Sequence, residues 1–95
     1  MDEIENEYSS KATIRGNTYL FVAEDAIDVI KRCHELDRRI LGIDSFIITE
    51  HATKSILEHC LDCSLQKNKD GCWTIAENFI RERMDLGMVF EIVYD

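Results

Sequence analysis

Apolar residues change their spacing several times along the chain, and each change marks an element. Two β-prone runs, Lys11–Arg15 and Thr18–Val22, flank Gly16-Asn17. A Gly-Asn pair between such runs predicts a two-residue hairpin, because glycine supplies the positive φ that the turn requires. From Ala23 to about Asp37 the spacing becomes helical. Ala26, Val29, Ile30, Cys33 and Leu36 fall on one stripe, widened by Ile27. Glu24 and Asp25 occupy the first turn and Arg38 and Arg39 lie near the last, so both ends suit the helix dipole. The segment Ile40–Ile48, ILGIDSFII, is short, β-branched and apolar, and reads as a buried central strand. Strand, helix and strand in this order permit a right-handed parallel crossover, provided the two strands share a sheet.

A second helix is predicted from about Ala52 to Ser64, with Ala52, Ile56, Leu57, Cys60, Leu61 and Cys63 as its apolar face. The run Gln66–Gly71 is polar and reads as a loop. Thr74, with Glu77 three residues on, forms a capping-box pattern. It predicts the start of a third helix, whose face carries Ile75, Ala76, Phe79, Ile80 and Met84. Gly87, just past Leu86, suits a left-handed helix terminator. Met88–Tyr94 alternates as a last strand, its even positions apolar, with Glu91 interrupting the other face. Residues 1–10 are polar and read as a flexible acidic tail. The pattern as a whole predicts a single α+β domain over residues 11–95. Its small sheet of about four strands (the N-terminal hairpin, a central strand and a C-terminal strand) packs against three helices.

Composition narrows this picture. A chain of 95 residues, 45% of them apolar, is long enough to close one core without metals or disulfides. No apolar run approaches the ~20 residues that span a bilayer. The acidic start MDEIENE lacks the basic-then-apolar order of a secretory signal, so a cytoplasmic location is expected. The four cysteines, Cys33, Cys60, Cys63 and Cys72, then read as thiols rather than disulfides. A formal charge of −8, from 19 acids against 11 bases, repels nucleic acid and anionic lipid and attracts basic partners.

Candidate chemistry is sparse. His59, Cys60, Cys63 and Cys72 could supply four zinc ligands, which makes a zinc-binding regulatory or interaction module the alternative reading. Cys60 and Cys63 also lie on the apolar stripe of the predicted helix, where a cysteine behaves as a small hydrophobe. Adjacent helical residues such as His59 and Cys60 point about 100° apart, so one metal does not easily take both. The core reading of these cysteines is preferred, and no cofactor or metal is expected. In Cys33-His34-Glu35 a nucleophile adjoins a base, but neighbouring helical side chains diverge. Phosphate-binding glycine loops, serine elbows and basic aromatic grooves are all missing from the sequence, and no catalytic residue is assigned. Asp44 interrupts an apolar strand. In a regular strand it would share a face with Ile40, Phe46 and Ile48. Either a bulge aided by Gly42 turns it to solvent, or it is a carboxylate aimed at a partner. Trp73 is either half-buried against the sheet or an interface anchor. Glu24, Asp25 and Asp28 form an acidic helix start, a solvated cap or a contact for a basic partner.

The segments Ala23–Ile30, Ile40–Phe46, Trp73 with Ala76 and Phe79-Ile80, and Phe90–Val93 together resemble small bacterial immunity proteins of polymorphic toxin systems, including contact-dependent growth inhibition. The shared pattern is a helix, a Gly-Ile-Asp-x-Phe strand, further helices and a closing Phe-Glu-hydrophobic strand. It covers most of the chain after residue 20. The resemblance implies a non-enzymatic inhibitor that binds a cognate toxin made in the same cell. Many such toxins are nucleases with basic clefts, which an acidic inhibitor suits. Asp25, Asp28, Asp44, Asp62, Trp73 and Glu77 are the expected partner-binding positions.

Overall fold

The computed structural model describes residues 3–49, 52–63 and 69–95, the side chains of 69 and 70 excepted. The Gly16-Asn17 turn forms as its residues require, with Gly16 at φ +61° joining strands β1 (Thr13–Arg15) and β2 (Thr18–Val22). β2 runs straight into helix α2 (Ala23–Glu35), which buries Ala26, Ile27, Val29, Ile30 and Cys33. The helix ends in a Schellman turn. Asp37 takes the left-handed position at φ 58°, the Arg38 amide donates to the Cys33 carbonyl at 2.7 Å, and the Asp37 amide to that of His34 at 3.1 Å. Aspartate tolerates this conformation better than most residues. The turn aims the chain into strand β3 (Ile40–Ile48).

β3 is the centre of the sheet. On one side it pairs antiparallel with strand β6 (Val89–Tyr94) from Ile40↔Tyr94 to Phe46↔Val89, with an irregularity between Ile40 and Gly42. On the other side it carries two short antiparallel strands, β4 (Thr53–Ser55) and β5 (Leu61–Asp62). β6 also pairs with β2, at Phe21↔Phe90 and Val22↔Val89. Among the described residues the sheet therefore has six strands, in the order β1-β2-β6-β3-β4, with β5 also on β3. That is two strands more than the sequence suggests, in the expected α+β class. β2 and β3 do share a sheet and run parallel, but β6 lies between them as an antiparallel partner to both.

Three expectations are corrected. No helix forms in the described part of 52–64. Residues 53–62 instead run along the edge of β3 as β4, a 3-10 turn at Leu57–His59, and β5. An uncovered β3 edge would leave backbone donors and acceptors unsatisfied, and this segment supplies their partners. The Ile56 amide bonds the Ser45 carbonyl at 2.9 Å, the Cys63 amide that of Leu41 at 2.8 Å, and the Ser45 hydroxyl donates to the His59 carbonyl. The third helix, α3 (Lys69–Arg81), starts a turn earlier than the Thr74–Glu77 pattern predicts, so Thr74 lies inside it. Cys72, Trp73, Ala76, Phe79 and Ile80 form its buried stripe, while Ile75 and Met84 are exposed. Residues 66–68 of the predicted loop lie outside the described residues. The N-terminal segment expected as a loose tail contains helix α1 (Glu3–Tyr8), which buries Ile4, 1% exposed. Glu7 accepts two hydrogen bonds from Arg32 of α2, at 2.9 and 3.0 Å, and the Tyr8 ring meets Phe21 edge-on.

Among the described residues α2 and α3 form a layer on the sheet, and α1 is attached to it through α2. α2 packs on β2 and β6, α3 packs on β3, α2 packs on α3, and α1 packs on α2. The core fills the space between this layer and the sheet, with Phe21, Ile40, Ile43, Phe90 and Ile92 facing the helices. Among the described residues no helix is long and apolar enough to cross a membrane.

Candidate functional site

Because directly paired residues share a sheet face, the register identifies what lies opposite the helix layer. Ile43↔Ile92 and Ser45↔Phe90 face the helices, so Gly42↔Val93, Asp44↔Glu91 and Phe46↔Val89 face away. The pairing Val22↔Val89 extends the last row, and Gly42↔Asp62 extends the first. Three rows result. Val22, Val89 and Phe46 form an apolar row, with Val22 52% exposed. Glu91 and Asp44 form a carboxylate row. Val93, Gly42 and Asp62 form a mixed row. α2 and α3 pack on the other side of the sheet, while Ile4 and Glu5 of α1 share a depression with Glu91.

The irregularity at Ile40/Gly42 settles which way Asp44 points. It places Ile40 with the core, fully buried, while Asp44 stays on the open face, half-buried. The bulge expected beside Gly42 is thus present, and it leaves the Asp44 carboxylate half-buried on the sheet surface. Gly42 permits the arrangement by close approach, since a Cβ there would lie 2.7 Å from the Leu61 carbonyl oxygen.

Glu91 is the residue that sequence reasoning passed over. Its carboxyl is pushed above the usual carboxylate range, first by burial, then by the charge of Asp44 and a side-chain hydrogen bond to it. Two carboxyls can hydrogen-bond only with a proton between them, so a second negative charge enters this row at a cost. Glu91 was visible as an interruption of the last strand, but only the β3–β6 register sets it opposite Asp44.

Two depressions adjoin the row. One, of about 210 Å³, opens where β2 departs from β6 and reaches the helix side of the sheet, where Ile4 and Glu5 of α1, Val29 of α2, Phe21 and Ile92 line it together with Glu91 and Val93. The other, of about 350 Å³, lies toward β5 and is lined by Asp44, Asp62, Cys60, Leu61 and Val93 among others. Neither lining contains Lys, Arg or His.

The six predicted contact positions do not form one surface. Asp44 and Asp62 lie on the open sheet face. Asp25 and Asp28 lie on α2 and Trp73 and Glu77 on α3, all in the helix layer. Trp73 is 4% exposed, its indole N–H donates to the Arg38 carbonyl at 2.9 Å, and its ring stacks on His34 at 4.2 Å. It is a core residue whose edge, with Glu77, Lys31 and His34, lines a shallow groove between α2 and α3. Glu77 is held by Arg81 at 2.9 Å.

The zinc quartet is not gathered. His59 Nδ1 accepts from Arg83 Nε at 3.2 Å, and the Cys60 thiol donates to the Ile56 carbonyl at 3.4 Å. Cys63 and Cys72 are buried and in side-chain contact; burial first, then Cys72, pushes the Cys63 thiol up. Among the described residues no three His, Cys, Asp or Glu side chains are arranged to hold a metal ion.

No known protein family matches this chain, and no curated protein matches it either. What the protein does must therefore be read from its own surface.

Proposed function

We propose that the protein is an immunity-type inhibitor. It binds a cognate toxin domain, a nuclease with a basic cleft, in the bacterial cytoplasm and neutralises it by steric and electrostatic occlusion, without turnover. The observation that carries this reading is the pairing of a net charge of −8 with an open sheet face whose centre is two adjoining carboxylates. An acidic surface framed by apolar residues mimics the charge of a phosphate backbone and excludes water where it docks. Strands β2, β3, β5 and β6 contain no Lys, Arg or His, so nothing on them opposes a cationic surface. The resemblance to immunity proteins points the same way.

The test is protection. Each gene neighbouring the one for this chain is expressed alone and then together with it. One neighbour is expected to arrest growth alone and to be tolerated in co-expression, and its product should bind this chain more weakly as salt rises. If no neighbouring product arrests growth, or if co-expression gives no relief, the inhibitor reading is wrong.

A further inference from the structure

We propose that the sheet face opposite α2 and α3 is the docking surface, and that it takes a basic protein surface presenting an arginine or lysine between apolar side chains. The cation lands on the Asp44–Glu91 row, and the flanking apolar residues pack on Val22, Val89 and Phe46. The partner's role rests on the inhibitor reading, whereas the place and chemistry of the contact rest on the sheet itself.

Charge complementarity selects this occupant. Two depressions that share Val93 adjoin the carboxylate row, one toward β5 and one reaching the helix side of the sheet, and neither has a cation in its lining. At ~30 Å³ per water, each holds several waters or the head of one long side chain. A guanidinium placed there can bond both carboxyls and remove the need for a proton between them. A second copy of this chain fits poorly, because it would bring a matching Asp44–Glu91 row against the first. The helix layer is a weaker candidate. Three of its carboxylates already meet cations, Glu7 and Glu35 at Arg32 and Glu77 at Arg81, and its groove contains Lys31.

The experiment titrates the isotope-labelled full chain with a synthetic peptide of alternating arginine and leucine, a probe of this surface chemistry. Amide shifts are expected at Phe46, Asp44, Val89 and Glu91 and not at Lys31 or Glu77. The double variant D44N/E91Q, which keeps shape and removes charge, should weaken binding at least ~10-fold, the scale of a lost charge pair at a contact. V22K, at an exposed position, should weaken it similarly, and E77Q should stay within ~2-fold. Shifts confined to α2 and α3, no saturable binding, or an unaffected D44N/E91Q each overturn the proposal. A chain that neutralises its toxin but fails these tests keeps its function and loses this surface. A chain that passes them without neutralising any toxin keeps the surface and loses the inhibitor role.

Discussion

Glu91 shows how one residue can be legible as a letter and illegible as a function. Its interruption of an apolar strand is visible in sequence, but its partner Asp44 lies 47 positions away and is found only through register. The pair has a measurable signature. The folded protein holds a proton on this pair more tightly than the unfolded chain does, since Glu91 titrates above its ordinary 4.5 when folded. The pair's contribution to stability is therefore complete below pH 4.5 and declines as pH rises through the elevated folded value. Glu91→Gln abolishes that decline. Urea unfolding should show the variant more stable than the wild type at pH 7 by about 0.5 kcal/mol, the scale of directly opposed like charges, with the gap closing toward pH 4. A gap that widens toward acid would mean the carboxyls do not repel. Trp73 taught the opposite lesson, because enrichment of tryptophan at interfaces said nothing about where α2 and α3 would meet. Trp73→Phe should cost about 1 kcal/mol by stranding the Arg38 carbonyl, and Trp73→Ala about 3–5 kcal/mol by emptying the core. Circular dichroism is the readout, since this is the only tryptophan.

Most local signals in the sequence match the structure, although the Thr74–Glu77 capping pattern falls inside α3, and elements settled by distant partners do not show in it. The hairpin, α2, β3 and β6 each carry their own turn chemistry or periodicity, and each forms within a few residues of its expected bounds. Residues 52–64 carry an apolar spacing compatible with a helix. The bare edge of β3 overrides it, because sheet hydrogen bonds there depend on a strand that only the fold supplies. β5 reaches that edge only because Gly42 has no side chain. Gly42→Ala would set a methyl against the Leu61 carbonyl at 2.7 Å and force the two strands apart. The expected cost is about 1–3 kcal/mol, typical of overpacking, and hydrogen exchange should quicken at Cys63, whose amide bonds Leu41. Unchanged exchange there would show that β5 adjusts freely. α1 was read as a tail because six residues are too few for a periodic signal and its charges look solvated. Its attachment is tertiary, through Ile4 and the Glu7–Arg32 pair. Ile4→Ala should therefore destabilise the whole fold by about 2–4 kcal/mol rather than merely fray an end.

At the scale of the molecule, charge is segregated by layer. The ion pairs Arg32–Glu7, Arg81–Glu77 and Arg83–Glu82 belong to the helix layer, while the Arg38 side chain donates to the Asp95 backbone oxygen and the Arg39 backbone amide to the Asp95 carboxylate. On the opposite face Asp44 and Glu91 lie on β3 and β6, strands that contain no Lys, Arg or His. The surplus of −8 is spread over a body of 39 × 29 × 20 Å. The Debye length is about 30 Å at 0.01 M salt and about 10 Å at 0.1 M. In dilute salt every charge therefore steers an approaching basic protein, while at cellular ionic strength only those within about 8–10 Å of the contact still act. Two kinds of acid should separate in kinetics with the neutralised toxin domain. Glu77→Gln in the helix layer should slow association slightly in dilute salt and have no effect near 0.15 M. D44N/E91Q should hasten dissociation at both, because the lost bonds are at the docking surface and shielded from salt. Wild-type association itself should slow by about 10-fold or more across that range. If the association rate ignored salt, or if Glu77→Gln and D44N/E91Q behaved alike, the acid surplus would be a property of solubility alone and the open face would have no privileged role.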